Sequence, residues 1–296
     1  VTTDPFEHQI EHHFAYVGGI RLHYAQWGGS RKDAPLVVLL HGFPEFWFSW
    51  RHQLQALGEA GYRVVAPDLR GYGQSDKPRG VDAYQIETLT DDVAALIRSL
   101  GAEQASIVAH DWGGMVAWWH AMRHTQQVRT LSILNCPHPA HRIQMFTDPA
   151  QVRKSFYMLF FQLPRIPERT IRHDDHAFIR RMFREDPKTP GAFSDEDIQR
   201  YVDALDPAST TAALNYYRAY LRRSASSLKS AMRPIDVPTQ VLWGTNDNYL
   251  QLDYASPPSR WVWDVRVEKL EGYSHWVQVD AAAEVNKRLL GFLPPP

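Results

Sequence analysis

Short strand-like runs alternate with helical periodicity along this chain, and few folds accommodate that alternation. The runs are "LVVLL" (36–40), "YRVVAPD" (62–68), "ASIVAH" (105–110), "VRTLSILN" (128–135), "TQVLWG" (239–244) and "VRVEKL" (265–270). A segment that is apolar almost throughout suits a strand buried on both faces. Between the first two, "SWRHQLQALGEAG" reads as a helix stopped by Gly61. Leu89, Val93, Leu96, Ile97 and Leu100 recur at helical spacing until Gly101. "GGMVAWWHAMRH" is helical, and so is "AAAEVNKRLL" (281–290). Strand–helix–strand order of this kind predicts a mostly parallel sheet flanked by helices on both faces. Residues 11–27 read as a hairpin turning at Gly18-Gly19.

The alternation stops near Pro137 and resumes at residue 239. The intervening 138–233 is helical in pattern, with few strand-like runs. We therefore expect a helical cap (138–233) inserted between two strands of a core made from 1–137 and 234–296. Residues 151–233 hold 15 Lys/Arg against 10 Asp/Glu, an excess of 5. That excess reads as a solvated helix surface in preference to an anion-binding one.

Bulk properties exclude several classes. A chain of 296 residues with 44% hydrophobic and 22% charged residues can bury a large core. Its net charge of -1 supplies no global attraction to nucleic acid or to anionic membranes. The start, "VTTDPFEHQI", lacks the basic-then-apolar pattern of a signal peptide. No apolar run approaches the ~20 residues a membrane span needs. The lone Cys136 cannot form an intramolecular disulfide, which agrees with a reducing, cytoplasmic location. "HQIEHH" (8–13) looks like a histidine box, but the membrane spans of that enzyme class are absent, so a polar N-terminal arm is expected. Cys136, His138 and His141 lack a zinc spacing, and no metal is expected.

"AHDWGGMVAW" (109–118) joins a strand to a helix. In open parallel sheets, ligands bind outside the carboxyl ends of the strands, where Asp111 lies. A nucleophile elbow needs small residues two before and two after the nucleophile; Ala109 and Gly113 are those residues. No G-x-S-x-G occurs in the chain, so an elbow here carries a carboxylate. The alternative for Asp111 is a helix N-cap. Two further residues favour the elbow. Asp247 follows one strand and His275 the next, in the order nucleophile, acid, histidine. "HGFPEFWFSW" (41–50) follows the first long buried strand, and Glu45 within it has two readings: a place behind the site, reaching its water network, which is favoured, or a cap for the next helix.

Taken as a set, "HGFPEFWFSWRHQ", "DLRGYGQSDKP", "HDWGG" and "SHW" resemble the epoxide hydrolases of the α/β-hydrolase fold, as in the hydrolase domain of soluble epoxide hydrolases. The resemblance runs from about residue 12 to 292. It implies an α/β-hydrolase fold, a small-molecule epoxide and water as substrates, no cofactor, and a monomer or homodimer. It implies a nucleophile at Asp111, a general base at His275, and Asp247 orienting that base. "SFYMLFFQLP" and "LNYYRAY" resemble the family's lid motifs, which align Tyr157, and Tyr217 in preference to Tyr216, as donors to the epoxide oxygen. The backbone N–H groups of Phe43 and Trp112 would form the oxyanion hole, with His41, Pro44, Glu45 and His110 in support. "HDWGG" and "HGFP" taken singly also look like haloalkane dehalogenases, but a halide-binding residue, often Asn, would follow His-Gly where Phe43 stands. A non-catalytic ligand sensor on the same fold is the remaining alternative. One departure is Ser274, where the family usually has glycine before the histidine.

Overall fold

The computed structural model describes residues 7–28 and 33–296; residues 1–6, part of the start that lacks a signal-peptide pattern, lie outside them. The strands are β1 (Ile10–Val17), β2 (Ile20–Trp27), β3 (Leu36–Leu40), β4 (Arg63–Pro67), β5 (Ala105–His110), β6 (Val128–Leu134), β7 (Thr239–Gly244) and β8 (Val265–Leu270). They form one sheet in the order β1-β2-β4-β3-β5-β6-β7-β8. Only the β1–β2 and β2–β4 pairings are antiparallel. Gly18 and Gly19 make the β1–β2 turn, both at positive φ. β3, β5 and β7 are buried at every position, as the unbroken apolar run of β3 predicts; β5 and β7 also bury Ser106, His110, Thr239 and Gln240.

Helices α1 (Arg51–Glu59), α2 (Ile86–Ser99) and α3 (Asp111–Arg123) follow β3, β4 and β5. A 3-10 turn, Trp47–Trp50, precedes α1, so the helix starts later than its sequence pattern suggests. Between β6 and β7 lie α4 (Arg142–Thr147), α5 (Pro149–Lys154), α6 (Phe156–Phe160), α7 (Ile166–Glu185), α8 (Asp195–Asp203), α9 (Pro207–Arg222) and α10 (Ala225–Ala231). α7 is interrupted at His173–His176, where Asp174, Asp175 and His176 adopt positive φ. α11 (Val277–Asp280) and α12 (Ala282–Phe292) end the chain. Among the described residues no helix is long and apolar enough to cross a membrane.

"HQIEHH" runs from a 3-10 turn that holds His8 into β1, so His12 and His13 belong to the sheet and not to a loose arm. His12 Nδ1 lies 3.0 Å from His23 Nε2, and His23 Nδ1 lies 2.7 Å from buried Asp68. Among the described residues no cluster of His, Cys, Asp or Glu is arranged to hold a metal.

Candidate active site

β5 lies mid-sheet, and Asp111 projects from its carboxyl end at φ 47°, in the left-handed region. Such strain persists only where the surroundings enforce it. Gly113 is part of that enforcement: a Cβ there would sit 2.2 Å from the Leu40 carbonyl oxygen. Gly42 faces the elbow from the other side, and its Cβ would sit 2.4 Å from Cβ of Asp111. Close approach of the two loops therefore needs glycine at both positions. Asp111 does not cap α3. His110 holds the N-cap position, without a side-chain cap bond. The Asp111 carboxylate instead accepts a 2.8 Å hydrogen bond at Oδ1 from the Phe43 N–H.

Loops after β7 and β8 bring the other two residues of the candidate triad to Asp111. His275 Nε2 is 3.6 Å from Asp111 Oδ2, and His275 Nδ1 is 2.7 Å from Asp247 Oδ2. Asp247 has no free lone pair to spare. The N–H groups of Tyr249 and Leu250 donate to Oδ1 at 2.7 and 2.9 Å, and Asn135 Nδ2 donates to Oδ2 at 2.7 Å. Burial acts to raise the Asp247 pKa, but the His275 charge and these donors hold it below the usual carboxylate range. Asp111 is likewise lowered: burial opposes, and the hydrogen bond and charge of His275 prevail. Burial disfavours charge on His275, yet Asp247 and Asp111 together raise its pKa to about 10. The resting site is thus an imidazolium between two carboxylates.

Asp111, Tyr157 and Tyr217 border both a cavity of about 310 Å³ and a smaller lobe of about 70 Å³. Tyr157 and Tyr217 meet edge to face, with ring centroids 5.9 Å apart. Tyr217 comes from α9 and Tyr157 from α6. Its neighbour Tyr216 points away and donates to the Arg70 carbonyl at 2.7 Å. Burial, then the nearby charge of Asp111, raises the pKa of Tyr157 well above its ordinary value. Tyr217 is raised too, by burial and then by Tyr157 and Asp111. Both are therefore hydroxyl donors at neutral pH. The Trp112 ring packs on Tyr217 at 4.8 Å.

Glu45 does not cap the following turn, whose N-cap position Phe46 holds without a side-chain bond. It is buried and receives Gly42 N–H at 3.0 Å and Gln278 Nε2 at 2.7 Å, with His110 Nδ1 at 2.8 Å. His110 Nε2 donates in turn to the His275 carbonyl at 2.9 Å. Burial would raise the Glu45 pKa, but the charge and hydrogen bond of His110 lower it. His41 accepts the Leu69 N–H at Nε2 (3.0 Å) and contacts the Gly42 carbonyl through Nδ1 (2.9 Å). Burial lowers its pKa, which keeps the ring neutral. Pro44 is buried and follows a cis peptide bond from Phe43.

Residues 35–282 match the family described as alpha/beta hydrolase fold. The AB hydrolase superfamily protein YfhM of Bacillus subtilis is 41% identical over 95% of this chain and 96% of its own length. Epoxide hydrolase 1 of Caenorhabditis elegans is 39% identical over 93% of this chain and 68% of its own length. The crystal structure of Epoxide Hydrolase A from Mycobacterium thermoresistibile superposes with a TM-score of 0.83 at 31% identity, covering 96% of this chain and 98% of the other. This chain belongs to the epoxide hydrolase family of the α/β-hydrolase fold.

Further residues of the family member's site escape a sequence reading. Asn135, at φ 40°, ends β6 and ties Gly244 N–H (2.9 Å) to Asp247. An asparagine closing a strand run is a weak signal, since this residue type tolerates the left-handed region. Tyr249 and Asn248 both donate to Asp186 at the end of α7. The Tyr249 ring also lines the larger cavity, 5.2 Å from that of His275.

Proposed function

We propose that this chain converts an epoxide and water to a vicinal diol, with 1–137 and 234–296 as core and 138–233 as cap. The supporting observation is the Asp111 carboxylate, with His275 against one oxygen, the Phe43 N–H on the other, and two tyrosines across the same cavity. An epoxide needs a nucleophile at carbon and an acid at oxygen. Asp111 Oδ2 attacks the ring carbon, the ring C–O bond breaks, and a covalent ester forms. The departing oxygen takes a proton from Tyr157 or Tyr217. Oδ1, already on the Phe43 N–H, becomes the ester carbonyl oxygen.

Proton balance follows from the charges. Alkylation removes the Asp111 negative charge, one of the causes holding His275 protonated. The imidazolium then returns its proton to the tyrosinate and becomes neutral. Neutral His275, oriented by Asp247, deprotonates a water that attacks the ester carbonyl carbon. The oxyanion develops on the N–H groups of Phe43 and Trp112. Collapse releases the diol and restores carboxylate and imidazolium. No step calls on a metal or an organic cofactor. Glu45, with His110, steadies the loop that carries His275, and His41 and Pro44 shape the loop that carries Phe43.

The test is intact-protein mass spectrometry after mixing with styrene oxide. His275→Gln should accumulate a covalent adduct, and Asp111→Asn should show neither adduct nor turnover. A His275→Gln protein that stays at its unmodified mass rules out the ester route.

A further inference from the structure

The outward side of α6 and the start of α7 is apolar without a partner. Phe156 is 65% exposed, Leu159 49%, Leu163 43% and Ile166 51%. Phe156 and Leu159 are three apart, and Leu159 and Leu163 four apart, so backbone turns that continue to Leu163 set them on one side. Tyr157 of the same helix lines the cavities, so α6 is apolar on both sides and buries only one. A contiguous exposed apolar surface on a soluble chain marks an interaction site.

Charge identifies the occupant. Between residues 149 and 172 the exposed charged side chains are Arg153, Arg165, Arg169 and Arg172, with no exposed acid. The one acid there, Glu168, is buried against Arg218. Among the described residues no carboxylate pairs with Arg153, Arg165 or Arg169. Arg153 lies three residues before Phe156, Arg165 adjoins Ile166, and Arg169 is one turn beyond it. A second copy meeting this face about a two-fold axis would set arginines against arginines. An anionic bilayer supplies the complement to both parts: phosphates for the arginines and acyl chains for the rings.

We propose that this face of the cap docks on anionic lipid surfaces, lying on the membrane and not spanning it. Met158, between the outward Phe156 and Leu159, lines the small lobe that reaches Asp111. A lipophilic epoxide partitioned into the bilayer would thus have a short path to the nucleophile. That use rests on the reaction proposed above; the docking does not.

Vesicle flotation of the purified chain separates the two. Phosphatidylcholine vesicles containing phosphatidylglycerol should carry the chain with them, and pure phosphatidylcholine vesicles should carry far less. Arg165→Gln and Arg169→Gln should each weaken binding about fivefold. Phe156→Ser with Leu159→Ser should abolish it while circular dichroism and thermal melting stay as in the parent. Raised salt should release the unaltered chain from the anionic vesicles, a readout that needs no variant. Failure to float with anionic vesicles, or binding indifferent to these substitutions and to salt, would overturn the proposal. So would a dimer in sedimentation velocity that Phe156→Ser dissociates, which would assign the face to a second copy.

Discussion

At the scale of single residues, the proposed reaction turns on one charge. His275 is held at a pKa of about 10 against its own burial, by Asp247 and by Asp111. A base so strongly protonated cannot activate water; on the proposed route, forming the ester would remove the Asp111 part of that hold. Asp111→Asn imitates the loss. The His275 pKa in that variant should fall from about 10 toward its ordinary value. Imidazole NMR titration would measure it, and an unshifted value would show that the two groups are not coupled. The elbow is equally local. Gly113→Ala places a methyl 2.2 Å from the Leu40 carbonyl oxygen, backbone that cannot swing aside. We expect a loss of roughly 1–3 kcal/mol in stability from the overpacking, together with most of the activity. Urea unfolding beside an activity assay checks both, and a variant equal to the parent in each would show that the contact relaxes at no cost.

At the scale of elements, the loop carrying Asp247 is held from the cap side as much as from the sheet. Gln151 on α5 donates to the Tyr249 carbonyl at 2.8 Å and accepts the Gln251 N–H at 2.9 Å. Lys154 donates to the Asp247 carbonyl at 2.5 Å, and Asp186 takes Asn248 and Tyr249. Gln151→Leu leaves the part-buried Tyr249 carbonyl and Gln251 N–H without these partners. It should cost about 1–3 kcal/mol and lower kcat more than it changes KM. Urea unfolding and steady-state kinetics would measure the two, and an unchanged kcat would show that the grip does not reach Asp247. Little of this grip is legible in sequence. The strands stand out because β3 is apolar at every position and β5 and β7 carry apolar stretches, a local property. The order Asp111, Asp247, His275 is readable because each residue follows a strand-like run, β5, β7 and β8 in turn. α4, α5 and α6 merge into one helical pattern because each is short, and the breaks at Asp148 and Ser155 are single polar residues. Asn135 looks like the last residue of a strand until β7 lies beside it. Glu45 finds Gln278 from 233 positions away, a distance no periodicity spans.

At the scale of the whole molecule, burial of neutral histidines makes stability depend on pH well above the carboxylate range. Burial lowers His52 to about 4 and His120 and His138 to about 3. Unfolded, each titrates near 6.5. Below that pH the unfolded chain binds more protons than the folded one, so stability falls on acidification. The three together should remove roughly 4–5 kcal/mol between about pH 6.5 and about pH 5. Below about pH 4 the lowered carboxylates Glu45, Asp68, Asp111, Asp247 and Asp280 extend the decline, since each stabilises the fold only while ionised. His275 acts oppositely: raised to about 10, it contributes fully below about 6.5 and less as pH climbs through 10. The stability maximum should therefore lie near neutrality, with its acid side set by histidines that burial keeps neutral. Urea unfolding across this range would trace the curve, and His120→Gln should remove about a third of the drop between pH 6.5 and 5. A flat profile over that interval, in parent and variant alike, would mean that these rings take up protons in the folded chain.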